Sequence, residues 1–276
     1  MKFQHPIITI QEFETILNQD NLIILDCSID KIGKKLDELE VELIPNSQFF
    51  DIENSFSDIH SNLPHTLIDE EHFTREAQLL GINKDSIIVC YDRWGVYSSP
   101  RAWWMFKTMG FKDVYVLDGG IFSWKNANHI ISKTYKFPES IGDFEANINE
   151  NWLANVNDVL NAITHQNSKI IDARSSARFN AEVDEPRAGL RKGHIKNSEN
   201  LPFENVLNQS YFKSNEELKQ YFEKNAIKDE IIFSCGSGIT ASILALANHQ
   251  INPNQITRVY DGSWSEWGKD KSLPIE

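Results

Sequence analysis

Only three cysteines, Cys27, Cys90 and Cys235, occur in the 276 residues. An odd, widely spaced set in a chain large enough to bury its own cores is no disulfide framework, so a reducing cytoplasm is the expected setting. No stretch approaches the about 18 consecutive apolar residues that a membrane-spanning helix needs. Met1 to Ile10 carries one lysine and an early Pro6 but no apolar core of signal-peptide length. These absences lead us to expect an unexported chain with no membrane partner. A basic block is missing too: the net charge of −13 is spread along the chain, and such a field repels a polyanion, so nucleic acid is not an expected partner. The histidines show neither short paired spacing with cysteine nor the zinc-protease pattern, so no metal is expected.

What the chain does have is an ordinary globular composition, 41% hydrophobic and 24% charged, and enough length for two domains of about 100–150 residues each. Short β-rich runs at Leu22 to Leu25, Ile87 to Val89, Val114 to Leu117, Ile170 to Ile171, Ile231 to Phe233 and Arg258 to Tyr260 read as buried strands. Helical patterns lie between them at Ile10 to Asn18, Pro100 to Met109, Val156 to His165, Asn215 to Asn225 and Ile239 to His249. Alternation of this kind predicts an α/β fold, mostly parallel sheets flanked by helices.

The two halves also resemble each other. Leu22-Ile23-Ile24-Leu25-Asp26 is matched by Lys169-Ile170-Ile171-Asp172, and Asp118-Gly119-Gly120 by Asp261-Gly262-Ser263. The offset of 143 from Asp118 to Asp261 also sets Asp92 opposite Cys235, so the first copy lacks the cysteine. Ser132 to Glu150 is polar, holds Pro138 and Gly142, has no clear period and suits a linker. The expected division is residues 1–144 and 145–276, with the second copy carrying Cys235.

Cys235 opens a strand-to-helix loop, Cys235-Gly236-Ser237-Gly238-Ile239-Thr240, ahead of the run Ala241 to Ala247. Glycines let such a loop curl its N–H groups inward, and the helix start adds a positive end, so the loop is built to hold an anion and favours a thiolate nucleophile. A phosphatase cradle would need arginine six positions after the cysteine. Position 241 is Ala241, which excludes that chemistry. Cys27 and Cys90 have no such loop and read as structural.

Phe49-Phe50-Asp51-Ile52, Tyr97 to Phe106, Leu117-Asp118-Gly119-Gly120, Asp172-Ala173-Arg174, Gly193-His194-Ile195 and Asp261-Gly262-Ser263-Trp264 join the cysteine loop in a further likeness. Across nearly its whole length the chain resembles the tandem-domain rhodaneses. The resemblance implies two tandem rhodanese-like domains, the first catalytically silent, and sulfur transfer through a persulfide on Cys235. Thiosulfate-using members typically place basic residues directly after the cysteine, whereas Gly236 and Ser237 are uncharged, which speaks for 3-mercaptopyruvate as donor.

The segment from Arg174 to Arg187 gathers three arginines in a loop after a strand, where α/β sheets bind ligands. A guanidinium matches a carboxylate in two parallel hydrogen bonds. The resemblance assigns Arg178 and Arg187 to the substrate and Arg174 to structure; pairing with Asp184 and Glu185 is the other reading the residues allow. Arg191 and Lys192 read as solvated rim charges. The resemblance also implies a proton relay of Ser237, His65 and Glu53, with His60 close enough in sequence to compete for the histidine's place. His194 is expected to be a packing or hydrogen-bonding residue, and Trp103 and Trp104 to fill the core between the domains.

The expected reaction passes sulfur to a thiol, to cyanide or to a thioredoxin-like protein, releases pyruvate and needs no cofactor, since the sulfur nucleophile carries the chemistry. Gly236, Gly238, Ile239 and Thr240 supply the loop that lines the donor. Two rivals stand: thiosulfate as donor, and a non-enzymatic sulfur carrier on the same scaffold.

Overall fold

The structure is a computed structural model and describes residues 3–166, 168–222 and 230–276. It divides into two compact units. One holds Met1–Ile59, Leu67–Asn149 and Gln209–Phe212; the other holds His60–Thr66, Glu150–Asn208 and Lys213–Glu276. A single cut near residue 145 does not describe this division, because two short segments are counted with the unit remote from them in sequence.

Each unit is built on a five-stranded sheet of the same order. In the first, Ile7–Ile8 is followed across the sheet by Val114–Leu117, Ile87–Tyr91, Leu22–Asp26 and Gln48–Phe49, every pair parallel. In the second, the order is Leu153–Ala154, Ile256–Tyr260, Glu230–Ser234, Lys169–Asp172 and Glu199–Asn200, again all parallel. The six expected strands are the inner ones, lengthened by a residue or two; Val114–Leu117 has the expected bounds. The two-residue edge strands were not anticipated, since so short a run carries no period.

Helix starts follow local chemistry. Asn155 caps Val156–His165 by accepting from the N–H groups of Asn157 and Asp158, while the Asp158 carboxylate accepts from the Asn155 N–H. Thr9 and Glu12 make the same reciprocal box at Ile10–Glu14, a shorter helix than the pattern to Asn18 implied. The pattern from Asn215 is helical to Phe222, and its last residues, 223–225, lie outside the described residues. Glu70–Leu79 is a helix that the apolar pattern missed, for it buries only Phe73 and Ala77. By contrast Ile239–Ile251 is apolar nearly all round and buried nearly all round.

The expected linker is no free tether. Residues 132–149 run along the first unit: Lys136 donates to the Ser47 carbonyl, Gly142 to Gln78, Phe144 to Ile82 and Asn149 to Thr108. Phe144 is buried, its ring meeting Phe73 and Phe111 edge-on. An extended segment held mainly by partners distant in sequence shows no local period, which is why it reads as a linker. Trp103 and Trp104 are fully buried in the first unit. Among the described residues, no helix is long and apolar enough to cross a membrane.

At the end of Val114–Leu117, Asp118 accepts a 2.8 Å hydrogen bond from the Phe212 N–H. Burial nevertheless pushes its carboxyl up from the ordinary 3.8 to about 6. A carboxyl raised in the folded state stabilises the fold below its unfolded value, near 3.8, and loses that contribution as pH rises through about 6. Asp118→Asn, whose amide oxygen can still accept from Phe212, is therefore expected to stabilise the first unit at pH 8 by up to about 3 kcal/mol. It should also flatten the pH dependence of stability between pH ~4 and ~7. Urea unfolding across that range, followed on both proteins, checks this; parallel curves would contradict it.

Candidate active site

Cys235 follows Glu230–Ser234, a central strand of its sheet, and thus stands between the ends of two neighbours. Ser234 pairs with Asp172 on one side, so the turn at Arg174 lies beside the cysteine loop. On the other side Ile256–Tyr260 leads into Asp261 to Ser265. This is the carboxyl end of a parallel sheet, where strands deliver side chains to one place.

The second neighbour grips the loop. Trp264 donates its N–H to the Cys235 carbonyl at 2.9 Å, and Ser265 donates its own to the Gly236 carbonyl at 3.0 Å. The Ser265 hydroxyl donates to that same carbonyl at 2.6 Å. Ser263 Oγ accepts from the Cys235 N–H at 3.1 Å and donates to the Tyr260 carbonyl at 2.7 Å. In a trans peptide the C=O and the following N–H point opposite ways. Holding the carbonyls of Cys235 and Gly236 toward 263–265 therefore turns the N–H groups of Gly236 and Ser237 away from that segment. The curl expected of both glycines is made at Gly238, the residue before Ile239–Ile251, with φ +80°. Gly236 has another reason to be glycine. A Cβ built there would lie 3.1 Å from Arg178 Nη2 and 3.8 Å from Arg187 Nη1.

Those two guanidiniums thus converge on the residue after the cysteine. Arg187 Nη2 also donates to Ser237 Oγ at 3.4 Å, and His65 Nδ1 lies 3.0 Å from the same hydroxyl. His65, in left-handed backbone at φ +59°, is grouped by its packing with this unit. His60 is exposed. Glu53 lies in the first unit, exposed in the turn that follows Ile52. Ile239 is buried and Thr240 half-buried at the start of their helix. Cys235 itself is 2% exposed, more enclosed than an open loop would leave it.

Glu185, expected at most as a surface partner of the arginines, is a buried bridge. It accepts from Arg178 Nε at 3.2 Å and Nη2 at 2.5 Å, and from Arg174 Nη1 at 2.8 Å. Its side chain is 2% exposed. Arg178 is therefore oriented by Glu185, with Nη1 left for another acceptor. Arg174 is structural: it also holds Asp172 and the Gly193 carbonyl, and it stacks over Trp264 at 4.3 Å. Lys192 pairs with Asp184 at the surface, but Arg191 is no rim charge. It donates to the carbonyls of Trp267, Gly268, Asp270 and Leu273 and so ties down the turn after Ser263–Trp267. His194 stacks on Phe179 at 3.7 Å. Ser263 and Ser265 were missed as site residues, because hydrogen bonds across 28 and 29 residues leave no local pattern; Glu185 lies only 7 and 11 residues from Arg178 and Arg174, but its burial between them leaves no mark in the spacing. Asp261 to Trp264 carries part of the family resemblance and so marks the place, but not the role of its residues.

In the first unit, Asp92 takes the equivalent place. Its carboxylate accepts from the N–H groups of Trp94, Tyr97, Ser98 and Ser99 and from the Ser99 hydroxyl. Cys27 and Cys90 are both fully buried there, and burial pushes the Cys27 thiol well up. A cavity of about 570 Å³ in the same unit, bounded by Asn21, Gln48, Asn83 and Lys136 among others, is lined by none of the candidate residues.

Residues 9–127 and 155–270 each match the rhodanese-like domain. The chain is 42% identical over 237 residues to the 3-mercaptopyruvate sulfurtransferase of Escherichia coli K12, covering 84% of this chain and 83% of that one. It is 36% identical over 236 residues to the thiosulfate sulfurtransferase of Rattus norvegicus, covering 83% and 78%. The crystal structure of SseA from Escherichia coli, described as a 3-mercaptopyruvate sulfotransferase, superposes with a TM-score of 0.83 at 33% identity, covering 94% of this chain and 99% of that one.

Removing the buried bridge has a direct consequence for stability. Glu185→Ala leaves the fully buried Arg174 with one carboxylate and frees Arg178, and is expected to cost about 3 kcal/mol or more. The urea midpoint of the second unit measures it, and an unchanged midpoint would show that Asp172 alone suffices.

Proposed function

This chain belongs to the rhodanese-like domain family, and on that premise we propose that it is a sulfurtransferase that takes sulfur from 3-mercaptopyruvate onto Cys235. The observation that carries the reading is the convergence of Arg178 and Arg187 on Gly236, directly after the cysteine. Two guanidiniums at that point suit a donor whose carboxylate lies a few bonds from its sulfur. The relatives in Escherichia coli and rat name two donors. The uncharged pair Gly236-Ser237 favours the singly charged mercaptopyruvate, and the nearness of Arg178 leaves little room for a basic side chain at 236.

Cys235 thiolate attacks the donor sulfur; the S–S bond forms as the C–S bond breaks, and the electron pair departs with carbon as the enolate of pyruvate. Protonation of that enolate gives pyruvate and leaves a persulfide on Cys235. An acceptor thiolate or cyanide then takes the outer sulfur and restores the thiolate. Arg178, aimed by Glu185, and Arg187 hold the carboxylate, while Gly236, Gly238, Ile239 and Thr240 shape the loop around the sulfur. Ser237 and His65, 3.0 Å apart, are suited to carry a proton to the enolate. No cofactor takes part.

The first unit is silent for a physical reason: Asp92 brings its own anion to the loop, and that carboxylate uses up the amides of Tyr97, Ser98 and Ser99. With Cys235 only 2% exposed, a small thiol suits the acceptor role, and a thioredoxin-like protein would have to reach the outer sulfur through a narrow opening. The cytoplasm is the proposed setting.

The test joins two measurements. Intact mass after exposure to mercaptopyruvate should show one added sulfur, and Cys235→Ser should lose both that sulfur and pyruvate release while its circular dichroism stays native. Retained pyruvate release in Cys235→Ser would overturn the reading. A large preference for thiosulfate in the same assay would replace the donor. Arg187→Ala is expected to raise the KM for mercaptopyruvate by about tenfold or more with little change in unfolding midpoint, as the loss of a charge-assisted hydrogen bond implies. An unchanged KM would remove Arg187 from the site.

A further inference from the structure

We propose that Ser265 is a positioning residue for the cysteine loop: by giving two donors to the Gly236 carbonyl, it holds the next N–H, that of Ser237, toward the reacting sulfur. A carbonyl oxygen has two lone pairs, and here both are engaged by one residue, the Ser265 N–H at 3.0 Å and its hydroxyl at 2.6 Å. One hydrogen bond lets a peptide plane pivot about the donor. Two donors from different directions hold the plane.

The held plane matters because the same peptide carries the Ser237 N–H on its opposite edge, facing away from residues 263–265. Glycine on one side of that peptide supplies no side chain to brace it, and Cys235 cannot contribute its own N–H, which is committed to Ser263. The Ser265 hydroxyl is therefore the side-chain restraint on a backbone donor at the place where negative charge sits before and during sulfur transfer. Preorganised amides of this kind act without reorganising at the moment of reaction. Ser265 is itself 4% exposed and fixed in the short helix Ser263–Trp267, so it has no freedom to follow a moving loop. It acts through the Gly236 carbonyl.

The inference rests on the sulfurtransferase reading, and the experiment keeps the two apart. Wild type, Ser265→Ala and Ser265→Thr are compared in pyruvate release and in carboxymethylation of Cys235 by iodoacetate, read by peptide mass. The second readout needs no mercaptopyruvate. Ser265→Ala is expected to lose about tenfold in kcat with KM for mercaptopyruvate little changed, a smaller loss than deletion of a direct oxyanion donor brings. It should slow carboxymethylation in step, and Ser265→Thr, which keeps the hydroxyl, should restore most of both. Wild-type rates in Ser265→Ala would overturn the proposal. So would losses in Ala and Thr variants alike that track only the fraction of folded protein in urea titration. If wild type released no pyruvate, the sulfurtransferase reading would fall, and the carboxymethylation rates would still decide for or against Ser265.

Discussion

The peptide carbonyls of Cys235 and Gly236 are pinned by the start of one short helix, and the site depends on that. The first turn of a helix has N–H groups with no partner of its own. At Ser263–Trp267 two of them, from Trp264 and Ser265, are spent on the cysteine loop. The direction of the loop's own amides follows from this through the planarity of the peptide. It requires only that the strands Glu230–Ser234 and Ile256–Tyr260 be neighbours in register, as they are from Glu230 opposite Ile256 to Phe233 opposite Val259.

Around that frame the charges are arranged so that few are idle. A protein of net charge −13 must place cations deliberately to receive an anion. Glu185 binds one buried guanidinium to structure and another toward the loop, and Arg174 is further shared among Asp172, the Gly193 carbonyl and the Trp264 ring. Such buried pairs give little net stability over apolar packing, but they fix where a charge points. Here the direction is the useful part, because Arg178 meets Gly236 most closely with Nη2, the nitrogen that Glu185 holds, while Nη1, which Glu185 does not bind, lies beside it.

The two units show how one sheet order serves two ends. In the first, the position equivalent to Cys235 is Asp92, whose carboxylate saturates the surrounding amides from within. In the second, a smaller side chain stands in a shorter loop whose carbonyls are tied from behind. A duplicated fold thus keeps its loop satisfied either with an internal anion or with an external clamp.

From its residues alone the chain determined its α/β class, its duplication, its inner strands, the cysteine loop and the arginine-rich turn, because each is written in short range. Runs such as Ile231 to Phe233, the spacing of Gly236 and Gly238 around the helix start, and the Asp-Gly pairs 143 residues apart are local or repeated signals. Only the tertiary structure decided that 132–149 packs on the first unit, that Arg191 caps a turn, that Glu185 is buried between two arginines, and that Ser265 grips Gly236. Most of these are sets of hydrogen bonds between residues far apart in sequence, brought together by an arrangement of strands and helices that no window of sequence contains, while Glu185 and its arginines share one loop and only the fold decides that they are buried together.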